Sequence, residues 1–234
     1  MKLPIRTPFF EIGVKNYLYG EDILRLAKAA DQAALENDVD VLFITPYTEI
    51  RRVSESTQRL IVVAPYMDLL QPGRGLADIL PEALKAAGAQ GVVVNHVERP
   101  MSLAQIRATI QRAHDLDMFV FACADSLEEA QAVACLGPDI VNPEPTELIG
   151  SGQICSEAYI HQSTQLIHKI NPEILVEQAA GITTAEQVFH MIQTGAQGVG
   201  VASGIAAAAD PCSIAAEMIR AVRLAQDAKG GNNK

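Results

Sequence analysis

The chain has no tryptophan, and aromatic residues make up only 5% of its 234 residues. Small and branched aliphatic side chains must therefore fill any core, which suits many helices packed on buried parallel strands. The four cysteines (Cys123, Cys135, Cys155 and Cys212) form no CxxC pair and have no histidine at zinc spacing. They read as free thiols of a reducing compartment rather than as a disulfide framework or a metal site. Positive charge is in deficit: 18 Lys and Arg stand against 28 Asp and Glu, a net charge of −10. A basic surface for nucleic acid is therefore not expected. No apolar run reaches the ~18 residues of a membrane span, and the opening MKLPIRTPFFEIGV lacks the apolar centre of a signal peptide. The expected location is the cytoplasm, without a membrane partner. No GxGxxG follows the first apolar run, so the dinucleotide fingerprint of an open doubly wound sheet is missing.

What the chain does have is alternation. Apolar runs rich in Val, Ile and Phe lie near 9–14, 40–44, 60–64, 91–95, 118–122, 138–142, 174–178 and 198–202. Amphipathic runs lie near 21–37, 48–57, 76–88, 102–116, 126–136, 156–169, 184–194 and 211–227. In the first of these, Ile23, Leu24, Leu26, Ala27, Ala30 and Ala34 form one stripe at helical spacing. Asp125-Ser126 and Thr183-Thr184 supply cap residues for later helices, and Pro211 suits a first helical position. Strands alternating with helices imply a parallel sheet, and eight such units imply closure into a (β/α)8 barrel. No linker-like break interrupts the pattern. A single domain over 1–234 is expected, with 228–234 as a disordered tail.

In such a barrel the chemistry sits where strands end and helices have not yet begun. The first apolar run leads to Lys15, a cation able to neutralise a phosphate or an enediolate oxygen. The fourth leads to Asn95-His96-Val97-Glu98, where a neutral imidazole would polarise a carbonyl. The sixth leads to Glu144, held between Pro143 and Pro145, a rigid carboxylate suited to taking a proton from carbon. The segment after it ends in Gly150-Ser151-Gly152, as a mobile lid with a phosphate-binding end would. The last two runs end in Ala179-Ala180-Gly181 and Ala202-Ser203-Gly204, small turns whose backbone N–H groups can converge on a phosphate.

Lys15, NHVER, EPTELIGSG, AAGITT and ASG, in this order and spacing, resemble the triosephosphate isomerase family in its short, archaeal-like branch, across essentially the whole chain. The resemblance implies an isomerase of glycolysis and gluconeogenesis that needs no metal or organic cofactor. Glu144 would be the base, His96 the neutral electrophile, Lys15 the charge stabiliser and Glu98 their support. Gly150, Ala179, Ala180, Gly181, Ala202 and Ser203 would bind the substrate phosphate. It also implies a homodimer or homotetramer, to which the apolar segment 65–70 is a candidate contributor. Two departures bear on specificity. Gly13 stands where the family usually has Asn, which removes an amide donor and leaves room, and Val97 replaces a Ser. The expected reaction interconverts dihydroxyacetone phosphate and glyceraldehyde 3-phosphate. A four-carbon ketose phosphate isomerase and a catalytically silent phosphometabolite-binding barrel are the alternatives.

Overall fold

A computed structural model describes residues 5–231. Eight strands form a closed barrel in sequence order, each parallel to its neighbours. They are β1 (Phe9–Gly13), β2 (Val41–Ile44), β3 (Ile61–Ala64), β4 (Gly91–Val94), β5 (Phe119–Ala124), β6 (Ile140–Pro143), β7 (Leu175–Gln178) and β8 (Gly198–Val201). Closure comes from β1 pairing with β8, Phe9 opposite Gly198 and Glu11 opposite Gly200. The helices are α1 (Gly20–Asn37), α2 (Ile50–Ser56), α3 (Pro81–Ala86), α4 (Leu103–His114), α5 (Leu127–Ala134), α6 (Glu157–His168), α7 (Ala185–Thr194), α8 (Ser203–Ala206) and α9 (Pro211–Gly231). Among the described residues no helix is long and apolar enough to cross a membrane.

The alternation of each strand sends its residues to two cores. The inner one holds Phe9, Leu42, Val63, Val93, Phe119, Phe121 and Ile140. The outer one lies between strands and helices, where Phe10, Ile12, Val41 and Val62 meet Leu26, Ile106, Ile160 and Val188. Glycines make the inner core possible. A Cβ at Gly198 would stand 2.2 Å from Phe9 Cζ, and one at Gly91 would stand 2.5 Å from the Phe119 ring. Two large rings therefore fill the barrel because the facing strands carry no side chain at those points.

Local signals start the helices. Ser126 caps α5, its hydroxyl accepting from Glu129 N–H, and Thr184 caps α7 in a capping box with Gln187. Three boundaries differ from the sequence reading. The helix expected over 76–88 begins only at Pro81, because Leu80 before it is extended (φ −69°, ψ 122°). A residue preceding proline is kept out of the helical region. Residues 68–80 instead form a loop, closed at its neck where the Ile79 N–H donates to Asp68 Oδ2 at 2.7 Å. A short helix, α8, not foreseen in the sequence, follows β8 directly. The expected tail over 228–234 is corrected in part. Residues 228–231 continue α9, and 232–234 lie outside the described residues.

Candidate active site

The C-terminal ends of the strands surround a cavity of about 560 Å³. Lys15 enters it from the turn after β1, and its backbone is held at a left-handed φ of 48°. Such a conformation costs on the order of 1–3 kcal/mol and persists only where its surroundings fix it. Lys15 Nζ donates to Glu98 Oε1 at 2.7 Å. This ion pair holds the Glu98 carboxyl below the usual carboxylate range.

Asn95 carries the turn that presents His96. Its backbone is also left-handed, at φ 59°. Its amide donates to Glu129 Oε1 (2.8 Å) and to the Cys123 carbonyl (3.1 Å), and its Oδ1 accepts from Met101 N–H (2.9 Å). The turn after it is tight, since Arg99 N–H donates to the His96 carbonyl at 2.7 Å. Inside this turn the Glu98 N–H donates to His96 Nδ1 at 3.1 Å. A ring nitrogen that accepts carries no proton, so the neutral ring keeps its proton on Nε2. Burial first, and Lys15 second, push His96 below its ordinary value, with Glu98 opposing. The imidazole is thus a neutral Nε2–H donor at physiological pH.

Glu144 follows β6, its N–H bonded to the Ala124 carbonyl at 2.8 Å. Its two proline neighbours fix the backbone on either side. Burial raises the Glu144 carboxyl above the usual range. Lys15 opposes this, Glu98 adds to it, and the Ala180 N–H opposes it. A carboxylate made more basic in this way is a stronger proton acceptor.

Three loops close the opposite wall, backbone against backbone. Ala180 and Gly181 are successive left-handed residues, at φ 66° and 68°. A Cβ at Gly181 would fall 1.9 Å from the Gln153 carbonyl oxygen, and one at Gly204 would fall 2.3 Å from that of Ile182. Only glycine lets the loops after β6, β7 and β8 approach this closely. Gln187 adds a tie, its amide donating to the Gly152 carbonyl at 3.3 Å.

The chain matches the family model described as "Triosephosphate isomerase" over residues 9–220. The chain belongs to that family. It is 38% identical to a triosephosphate isomerase of Methanobacterium bryantii over 210 residues, covering 88% of this chain and 92% of the relative. A triosephosphate isomerase of Methanothermus fervidus is 34% identical over 217 residues (91% and 97%). One of Sulfolobus acidocaldarius is 32% identical over 230 residues (97% and 100%).

The residues singled out by the triosephosphate isomerase resemblance converge with one exception. Lys15, His96, Glu98, Glu144, Gly150, Ala179, Ala180, Gly181, Ala202, Ser203 and Gly13 all line the cavity. Val97 does not, because the tight turn after His96 leaves its side chain 38% exposed. The specificity role expected of Val97 therefore lacks a place on the wall. The room expected at Gly13 is also corrected. A Cβ there would lie 3.0 Å from Glu11 Oε1, so a carboxyl group already fills the space.

Several cavity residues were given no place at the site in the sequence reading. Tyr47, Tyr66 and Arg99 form one side, with the Arg99 guanidinium 3.9 Å from the Tyr66 ring centroid. Burial pushes Tyr47 up to about 12. Glu11 forms part of the floor. Its signal was in plain view, since an acidic residue interrupts the apolar run FFEIGV. Among the described residues no cluster of three or more His, Cys, Asp or Glu side chains is placed to hold a metal ion.

Proposed function

We propose that the protein interconverts dihydroxyacetone phosphate and glyceraldehyde 3-phosphate through an enediolate, with Glu144 as the base. Its carboxylate takes a proton from the carbon beside the carbonyl. The C–H electron pair moves into the carbon–carbon bond, and the carbonyl pair moves onto oxygen. The proton then returns from Glu144 to the neighbouring carbon. His96 polarises the carbonyl through Nε2–H and passes a proton between the two oxygens. Lys15, steadied by Glu98, faces the negative charge that builds there.

The observation that carries this reading is the Glu98 N–H to His96 Nδ1 hydrogen bond. It fixes a neutral donor imidazole in the same cavity as a buried, proton-accepting Glu144. A barrel that merely binds a phosphometabolite needs neither group. A glutamate base paired with a neutral histidine is the pattern already known for triosephosphate isomerases as a class, and these residues fit it. Gly150, Ala180, Gly181, Ala202 and Ser203 offer backbone donors for the phosphate, at the loops after β6, β7 and β8. Because Glu11 fills the room beside Gly13, the three-carbon substrate is favoured over a four-carbon ketose phosphate.

The protein assembles with itself as a dimer or tetramer in this reading. Support comes from the loop after β3, where residues 71–78 are all exposed and Leu76 is fully so. A second subunit would cover the exposed Leu76 side chain. Met67, by contrast, is wholly buried in its own barrel. The cytoplasm is the expected site of action, in keeping with four free cysteines.

A coupled assay of the purified protein with dihydroxyacetone phosphate, beside Glu144→Gln, tests the proposal. High turnover that falls by several orders of magnitude in the variant supports it. Absent turnover with the triose, together with turnover of a four-carbon ketose phosphate, would overturn the substrate. Binding without any proton exchange at carbon would overturn the reaction.

A further inference from the structure

Phe9, Glu11 and Gly13 alternate along β1 and so share its inward face, and Lys15 follows in the turn beyond. Glu11 sits one step below the cavity mouth and is 6% exposed. Its carboxyl group reaches into the place that a side chain at Gly13 would take, where Oε1 has no hydrogen-bond partner in the protein. On the adjoining strand β8, Gly200, the pairing partner of Glu11, has no side chain either. A Cβ there would stand 2.6 Å from Glu11 Oε2 and 2.4 Å from Glu177 Oε1. Two carboxyl groups, from β1 and β7, therefore border the same space, which glycines on β1 and β8 leave open. Glu177 is wholly buried, and neither of its carboxyl oxygens has a partner.

The groups that face this pair are few. Glu144 comes from the end of β6, Cys123 from β5 and Lys15 from the end of β1. Lys15 is the cation among them, and it is already engaged by Glu98. Buried neighbouring carboxyl groups beside a third disfavour one another's ionisation, which favours a proton kept on the pair. Burial is the main cause that holds both well above the usual carboxylate range. A carboxylate only accepts, whereas a carboxylic acid has an O–H to donate.

We propose that Glu11 is a further catalytic residue: as a carboxylic acid backed by Glu177, it donates its O–H to one of the two enediolate oxygens from the place left empty by Gly13. The proposal rests on the isomerase reading given above. The proton stays on Glu11 throughout, and the bond strengthens as negative charge builds on the oxygen. Once ionised, Glu11 would lose its donor and repel the anionic substrate. Activity therefore declines at alkaline pH, as Glu11 gives up its proton.

The test measures kcat/KM for dihydroxyacetone phosphate against pH in four proteins. They are the wild type, Glu11→Gln, Glu11→Leu and the exchange Glu11→Gly with Gly13→Asn, each checked for folding by its Tm. Glu11→Leu, which has no donor, is expected to lose on the order of 10²–10³-fold. Glu11→Gln keeps an N–H donor and is expected to lose about tenfold at most, with the alkaline decline abolished. The exchange puts an amide donor into the same space and is expected to recover most of the loss, again without the alkaline decline. A folded Glu11→Leu with wild-type kcat/KM and pH profile would overturn the proposal, as would a Glu11→Gln that keeps the alkaline decline. If the wild type showed no turnover, the isomerase reading would fail by itself. Calorimetric binding of dihydroxyacetone phosphate would then decide the role of Glu11. Weaker binding by Glu11→Leu than by Glu11→Gln would support it, and equal binding would overturn it.

Discussion

Replacing both buried carboxyl groups by amides, Glu11→Gln with Glu177→Gln, should change how stability depends on pH. In the folded protein both groups sit well above their ordinary value of 4.5, chiefly through burial. The unfolded chain has released those protons above about pH 4.5, while the folded chain still holds at least one. Raising the pH therefore favours unfolding. The stability contributed by the pair is fully present below 4.5 and is lost as the pH climbs towards the folded-state values. One retained proton gives a slope of about 1.4 kcal/mol per pH unit. Each pH unit above about 4.5 over which the fold keeps that proton should thus cost the wild type on the order of 1 kcal/mol relative to the double variant. For a domain of this size about 1 kcal/mol is a Tm difference of about 2–4 °C. Urea melts of the two proteins at several pH values measure the gap directly. Comparing slopes also removes any constant cost of fitting amides into the barrel. A gap that stayed constant above about pH 4.5 would show the pair fully ionised in the fold and refute the reasoning.

Three further outcomes are expected. The acid limb of kcat/KM should lie above pH 4.5, because Glu144 is raised from that value and acts as the ionised base. A limb centred at or below 4.5 would contradict the raised Glu144. Asn95→Ala removes three hydrogen bonds and leaves a non-glycine residue at φ 59°. It should cost about 2–4 kcal/mol in urea unfolding and lower kcat by loosening the His96 turn. Gly198→Ala would force a Cβ to 2.2 Å from Phe9 Cζ. It should cost about 1–3 kcal/mol, and a Tm within experimental error of the wild type would show that the inner core yields more easily than its packing suggests.

The barrel was legible because each strand and helix carries its own period, and because eight units in sequence leave few other topologies. The ends of elements were less legible where neighbours decide them. Leu80 and Pro81 stop α3 from starting early, yet the amphipathic pattern runs on through 76–80. The site was legible at Lys15, His96 and Glu144, since polar residues after apolar runs mark the barrel mouth. It was misread where two side chains compete for one space. Gly13 alone reads as a vacancy, and only the fold shows Glu11 reaching past it. Val97 sits next to His96 in sequence, but the turn fixed by the Arg99 N–H sends it outward. Tyr47, Tyr66 and Arg99 reach the cavity from loops whose paths no periodicity describes.

The central claim is that Glu144 moves a proton between adjacent carbons of a triose phosphate. Turnover of dihydroxyacetone phosphate in deuterated water, followed by proton NMR, tests it most directly. Transfer through a carboxyl group that exchanges with solvent predicts deuterium on the reacting carbon with the wild type, and none on the same timescale with Glu144→Gln. Deuterium incorporation by the variant at the wild-type rate would contradict the account.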